Sequence, residues 1–237
     1  MEDSACLARS ATVHRVRVAV VIPALNEADR IAESVRSARA PGVEVVVADG
    51  GSRDATCLRA AEAGARVVRS SPGRSRQMQE GAKASDGDVI LFLHADTTLP
   101  DGFADQVRRA IEDPAVAGGA FALRFDQPSF AMRLVEWGVR VRLAVAALPY
   151  GDQAIFLRRS LLESMGGVPQ AVIMEDLDLV KRIKQAGRIA LLSASVTTSA
   201  RRYRQYGVFR TMARNALALV AWRLGCDRER VAVWCRR

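Results

Sequence analysis

Two short stretches of the 237-residue chain pair residue types suited to metal and acid–base chemistry. His94 and Asp96 follow directly on five apolar residues, Val89 to Leu93, where a buried strand would deliver them to its exposed end. A carboxylate at Asp96, with a nucleotide diphosphate and waters, completes the oxygen shell that magnesium or manganese prefers. Such a metal would stabilise the negative charge of a departing diphosphate. The competing reading is a turn or helix cap, because Asp96, Thr97 and Thr98 are all cap-forming residues. Glu175 and Asp176 open a run whose Leu177, Leu179, Val180 and Ile183 supply a helical apolar face. Acids at a helix N-terminus are ordinary partners of its dipole. Their functional alternative is a general base that takes a proton from an incoming hydroxyl.

Other polar patches carry weaker signals. Asp49 meets Gly50-Gly51-Ser52, where a carboxylate could accept from a base or a ribose and the glycines admit a close backbone; a plain turn explains the same residues. Arg74 with Arg76, and Arg201-Arg202 with Arg204, could pair with phosphate oxygens, although runs of charge are usually solvated surface. The first strand is followed by Pro23-Ala-Leu-Asn-Glu-Ala-Asp-Arg30, which has no glycine, so the dinucleotide fingerprint is excluded. The chain also has no glycine-rich loop ending in Gly-Lys-Ser/Thr, which excludes a P-loop.

The elements around these patches alternate. Val16–Pro23, Val43–Asp49, the stretch around Val67 and Asp88–Leu93 are near-continuous apolar strands. Helices are expected between them, the first capped by Asn26 and running over residues 27–38, the others over about 54–63 and 74–85. This order implies a mostly parallel sheet with helices on both faces, in which ligands bind beyond the C-terminal strand ends. Pro23–Glu27, Asp49–Ser52, Pro72–Arg76 and His94–Thr98 should then meet in one crevice. In the second half, strands are expected over Gly118–Phe125, Ala154–Arg159 and Arg188–Thr198, and helices over Ser129–Ala147, about 174–187 and Tyr206–Leu224. The simplest organisation is a flexible leader (1–15) and one domain (16–205) with a nucleotide-binding half to about 117 and an acceptor half beyond it. A basic amphipathic helix and tail (206–237) would complete the chain.

Charge is divided unevenly. The net +9 is the sum of −2 over residues 1–119 (15 basic, 17 acidic) and +11 over residues 120–237 (20 basic, 9 acidic). An anionic partner on the C-terminal side is implied: a phosphorylated substrate, a membrane surface or a nucleic acid. Helices Ser129–Ala147 and Tyr206–Leu224 fit two roles, packing on the sheet or lying on an anionic bilayer. Only 5% of residues are aromatic, and none interleave with basic residues in the manner of single-strand binders, so no nucleic-acid partner is expected. Four scattered cysteines and two histidines suit neither a zinc site nor a disulfide framework. No apolar run approaches the roughly 18 residues of a membrane span, and the first 15 residues lack a signal-peptide core. A cytoplasmic protein is expected, with contact at the inner face of the membrane under the bilayer reading.

Five segments together resemble the family 2 glycosyltransferases of GT-A fold: Val20–Ile31, Val45–Thr56, Gly73–Pro100, Tyr150–Arg159 and Met174–Ile183. They occur in that family's order and cover roughly residues 16–205. The chain looks most similar to a small bacterial branch whose metal motif reads His-Ala-Asp. The resemblance implies that Pro23, Ala24, Asn26, Glu27, Asp49, Gly51, Arg74, His94, Ala95, Arg201 and Arg202 contact a nucleotide-sugar donor, and that Asp96 holds Mn2+ or Mg2+. It makes Asp176, with Glu175, the catalytic pair and sets Tyr150, Gly151, Asp152 and Gln153 on the acceptor side. The departure is His94, where the family's motif has its first Asp; a neutral imidazole can bond a ribose or meet a metal but brings no negative charge. The implied reaction is an inverting sugar transfer to an acceptor hydroxyl, anionic or lipid-linked. The alternatives are a nucleotidyltransferase acting on a sugar phosphate and a non-enzymatic nucleic-acid binder. The first strand lacks the glycine-rich basic loop that the former would need.

Overall fold

The computed structural model describes residues 16–236; the expected leader, residues 1–15, lies outside them. The first half alternates as expected: β1 (Val18–Ala24), α1 (Ile31–Ser37), β2 (Val43–Asp49), α2 (Thr56–Glu62), β3 (Arg66–Arg69), α3 (Arg74–Lys83) and β4 (Val89–Phe92). Then follow β5 (Thr97–Thr98), α4 (Phe103–Glu112), β6 (Val116–Phe125), α5 (Phe130–Ala146), β7 (Phe156–Arg158) and α6 (Arg159–Ser164). The chain closes with α7 (Glu175–Ala186), β8 (Arg188–Thr198), α8 (Arg201–Tyr206), α9 (Val208–Arg223) and α10 (Arg228–Arg236).

One eight-stranded sheet runs in the order β3-β2-β1-β4-β7-β6-β8-β5. The pairs β1–β2, β1–β4, β2–β3 and β6–β8 are parallel; β4–β7, β6–β7 and β5–β8 are antiparallel. The mostly parallel sheet is therefore as expected. Its centre is apolar on both sides because helices cover both. Val18, Val20 and Ile22 of β1 pack with Ile31, Val35 and Val107 on one face. Ala19 and Val21 pack with Met78, Ala82, Val180 and Ile183 on the other.

Four local readings need correction. Asn26 does not cap α1: it sits at φ 54°, its side-chain oxygen accepts from Arg53 N (2.9 Å), and α1 begins only at Ile31. Of the expected strand Ala154–Arg159 only Phe156–Arg158 forms β7, antiparallel to β4, and Arg159 already opens α6. The expected helix Tyr206–Leu224 is broken at Gly207 (φ 80°), leaving α8 before it, and α10 follows. Helix α4 was not anticipated, although Phe103, Val107 and Ile111 recur at the helical interval and are all buried.

Several arginines of the basic half have structural partners. Arg159 donates to the carbonyls of Gly87 (2.6 Å), Ala82 (3.1 Å) and Ser85 (2.7 Å), and Arg158 to those of Ile111 (2.6 Å) and Asp113 (3.2 Å). These side chains close loops opposite the ligand-binding rim and are not available to an anionic partner.

Strand β6 reaches its neighbours only because of a glycine pair. A Cβ on Gly119 would lie 2.3 Å from Ala190 O and 2.4 Å from the Phe156 ring. Gly119→Ala should therefore lower unfolding free energy by about 2 kcal/mol or more, as overpacking against backbone does. Urea denaturation followed by circular dichroism would check this; an unchanged midpoint would mean that the strands separate without cost.

Candidate active site

The C-terminal ends of the first-half strands form one rim. Ala24 O accepts from Gly50 N (3.0 Å) and Gln77 Nε2 (2.6 Å), Asn26 N donates to Ser52 Oγ (2.9 Å), and Leu93 N donates to Val21 O (2.9 Å). Parallel neighbours thus bring Pro23–Glu27, Asp49–Ser52 and His94–Thr98 to one edge, as expected. The carboxylate of Asp49 accepts from Gly51 N (2.9 Å) and Ser52 N (3.0 Å). Burial acts to raise its pKa, but these hydrogen bonds outweigh burial and hold it below the ordinary carboxylate value. Asp49 therefore builds the turn, one of the two readings open to it.

Across the crevice, Arg74 at the start of α3 joins three elements. Its Nε lies 3.2 Å from Glu175 Oε1 of α7, and its Nη1 lies 3.3 Å from His94 Nε2 beyond β4. Glu175 is buried, and burial raises its pKa against the pull of Arg74. Its Oε1 faces Arg74 without hydrogen-bond geometry. Burial first, then the guanidinium groups of Arg74 and Arg202, push the pKa of His94 down to about 3. The imidazole is neutral, and a guanidinium can only donate, so Nε2 is the acceptor and the proton sits on Nδ1. Nε2 is thereby engaged and is not a free metal ligand.

Asp176, next along α7, is fixed by backbone. Its Oδ2 accepts from Gly151 N (2.7 Å) and its Oδ1 from Leu177 N (2.9 Å). Gly151 is the joint of the site. A Cβ there would lie 2.9 Å from His94 Nε2 and 3.2 Å from Asp176 Oδ2, so only glycine lets this turn touch both. Beside it, Asp152 has a buried Oδ1 without a hydrogen-bond partner among the described residues. Burial drives its pKa up to about 6; Arg142 opposes the shift and Asp176 adds to it. Asp96 has no side-chain hydrogen bond and no ion-pair partner within 4.0 Å among the described residues. Only its carbonyl is engaged, by Ser199 N (3.2 Å). It caps nothing, and α4 starts after Gly102.

Some expected contacts are corrected. Gln153 is fully buried: its Nε2 donates to Phe121 O (2.9 Å), and its Oε1 accepts from Arg142 Nη2 (2.8 Å) and Tyr150 N (3.1 Å). It holds the 151–153 turn from within and does not line the acceptor side. Ala95 points into the core. Arg201 is paired with Glu27, Nη2 to Oε1 at 2.9 Å, so two residues expected to contact the donor engage each other. Arg142 is not among the expected site residues. It stacks 3.4 Å from the Tyr150 ring centroid and donates to Leu148 O (3.0 Å). Its place three residues after buried Val139, at the edge of the helix's apolar stripe, was the available signal.

Residues 19–161 match the family described as Glycosyl transferase family 2. The chain belongs to this family. Glucosyl-3-phosphoglycerate synthase of Mycolicibacterium paratuberculosis (strain ATCC BAA-968 / K-10) is 37% identical over 97 residues, covering 35% of this chain and 29% of the relative. That of Mycolicibacterium smegmatis (strain ATCC 700084 / mc(2)155) is 35% identical, covering 35% and 32%. The match thus spans less than a third of these relatives' length. Among solved structures, the Mycobacterium tuberculosis synthase in complex with Mn2+, uridine diphosphate and glucosyl-3-phosphoglycerate superposes with a TM-score of 0.63 at 23% identity, over 90% of this chain and 81% of that one. Staphylococcus aureus TarS gives 0.62 at 17% identity, over 83% and 39%. These likenesses establish the GT-A-type fold.

Asp152 sets a stability prediction. Its pKa is near 3.8 when unfolded and about 6 when folded, so the folded state holds the proton more tightly. Stability attributable to this group is complete below pH 3.8, declines as pH rises toward 6, and stays reduced above. Allowing for partial solvent screening, Asp152→Asn should stabilise the metal-free protein by about 1–2 kcal/mol at pH 8 and change little at pH 3.5. Urea melts at the two pH values measure this, and equal effects at both would show that Asp152 ionises normally.

Proposed function

We propose that the protein is an inverting glycosyltransferase that moves a sugar from a uridine-diphosphate-type donor to the hydroxyl of an anionic acceptor. One arrangement carries the reading. The carboxylate of Asp176, fixed by two backbone N–H groups, and the free carboxylate of Asp96 both act electrostatically on Arg74 and Asp152 in one crevice at the strand ends. Family membership and the ligands of the mycobacterial synthase support the choice of donor.

A divalent metal fits at Asp96. No group of three or more His, Cys, Asp or Glu side chains among the described residues forms a ready cage. One unpartnered carboxylate suits Mg2+ or Mn2+, which take their other ligands from substrate phosphates and water. When bound, the ion would neutralise charge on the leaving diphosphate. The remaining work falls to the chain. The rim loops at Asn26 and Ser52 hold the nucleoside. Asp176 keeps a lone pair on each oxygen for the acceptor hydroxyl and removes its proton as the hydroxyl attacks the anomeric carbon from the face opposite the nucleotide. Arg74, held by Glu175, keeps a positive charge beside the negative charge that develops on the leaving group. Glu175 is therefore a positioning residue. The exposed Arg202 and Arg204 favour an acceptor that carries negative charge, such as the phosphorylated hydroxy acid named for the mycobacterial relatives.

Asp176→Asn should lower sugar transfer at least about 100-fold while leaving manganese-dependent UDP binding intact. Asp96→Ala should remove the manganese dependence of UDP binding as well as transfer. Gly151→Ala should fold but lose transfer, because its methyl group separates His94 from Asp176. Calorimetry with UDP, with and without manganese, and nucleotide-release assays decide the matter. Wild-type rates in both aspartate variants would defeat the assignment.

A further inference from the structure

Helices α5 and α9 each have a second apolar face that the fold does not cover. Helix α5 buries Met132, Val135, Val139 and Leu143. On its opposite side Phe130, Leu134, Trp137, Val141 and Val145 are exposed, Phe130 by 87% and Val145 by 82%. Their intervals of four, three, four and four residues set them on one helical stripe. Helix α9 repeats the pattern. It buries Thr211 and Ala218 and turns outward Phe209 (86% exposed), Met212, Leu217, Val220 and Leu224 (74%). Single exposed apolar residues need no partner, but two unbroken stripes on helices already packed by their other faces do.

The two helices share neighbours. Phe125 links the first half of α5 to α8: its N–H donates to Glu136 Oε1 of α5 (2.9 Å), and its ring meets that of Tyr203, in the helix before α9, at 5.1 Å. Helix α7 touches the C-terminal ends of both α5 and α9. Its Lys184 donates to the carbonyl of Ala146, the last residue of α5 (2.7 Å), and its Asp178 accepts from Trp222 of α9 (3.0 Å). Helices anchored on the same neighbours can present both outer faces to one flat surface.

The charge around the stripes identifies the occupant. Residues 201–223 contain six arginines and no acidic residue. Arg133 and Arg140 border the α5 stripe, Arg210 and Arg223 border that of α9, and none of the four has an ion-pair partner among the described residues. A second copy would set these arginines against their own kind. A broad apolar face bordered by unpaired arginines matches the headgroup and upper acyl layers of an anionic bilayer, where arginine stems lie along the apolar surface and their heads meet phosphate. No helix among the described residues is long and apolar enough to cross a membrane, so the contact is one of lying on the surface. We propose that α5 and α9 dock the protein on an anionic phospholipid surface. Helix α8 alone separates α9 from the rim, where its Arg201 pairs with Glu27, so docking sets the crevice beside the lipid headgroups. The proposal rests on these two faces and is independent of the reaction assigned to the crevice.

Flotation of the full chain with phosphatidylcholine vesicles, and with vesicles in which roughly a third of the lipid is phosphatidylglycerol, tests the idea. At low salt the anionic vesicles should carry at least about tenfold more protein than the neutral ones, as several arginines at roughly fivefold each would give. Trp137→Ser with Phe209→Ser, and separately Arg133→Gln with Arg210→Gln, should each reduce binding about tenfold or more. Both pairs are exposed, so circular dichroism and melting temperature should stay unchanged and exclude misfolding. Absence of flotation, or equal flotation on neutral vesicles, overturns the proposal. So does a dimer, seen by sedimentation, that the Trp137→Ser and Phe209→Ser substitutions dissociate, since a second copy would then cover the face.

Discussion

The ion pair between Arg74 and Glu175 sets the geometry of the crevice. Glu175 is buried at the start of α7, and a buried carboxylate without a compensating charge is costly. Arg74 supplies that charge from α3, a helix that belongs to the other half of the sheet. The two halves of the cleft are thereby held at one separation. The same guanidinium donates to His94, which fixes the imidazole's tautomer, and its field reaches Asp96, Asp152 and Asp176. One half-exposed cation therefore sits among four acids and one neutral ring. Without it, Glu175 and Asp152, whose pKa values burial already raises, would hold their protons more tightly still.

Gly151 supplies the second constraint. Its backbone, not a side chain, binds Asp176, and its missing side chain lets the turn touch His94. The turn is in turn held from beneath by Gln153, whose buried amide reaches Phe121 and Arg142. A chain of ordinary hydrogen bonds thus runs from the centre of the sheet to the proposed base. This is how a rigid scaffold confers precision on a loop-borne site.

Much of this was legible in the residues. Near-continuous valine and isoleucine runs announced buried parallel strands, and their ends named the crevice because strand direction alone decides where C-termini gather. Asp96 and Asp176 each had a local explanation, as a cap or a dipole partner, and it was the resemblance of their motifs that singled them out. What stayed hidden depended on three-dimensional partners. No sequence rule separates a glutamine that lines a pocket from one buried beneath it, so Gln153 looked like its neighbours. Likewise Arg158 and Arg159, counted as free positive charge, are bound to interior carbonyls. The outward apolar stripes of α5 and α9 interleave in sequence with the inward ones, so the residues left packing on the sheet and lying on a bilayer both open.

The pairing of Arg201 with Glu27 gives ligand capture a particular character. A phosphate arriving at the rim finds a guanidinium that already has an anion beside it. Under the proposed function, a phosphate bound at Arg201 would share the guanidinium with Glu27 or displace it, since Glu27 engages Nη2 alone. Half-exposed pairs of this kind differ little in free energy from one another. Such a latch would lend selectivity for a correctly placed anion while keeping the hold loose, so that a spent nucleotide would be let go as readily as a fresh one was taken.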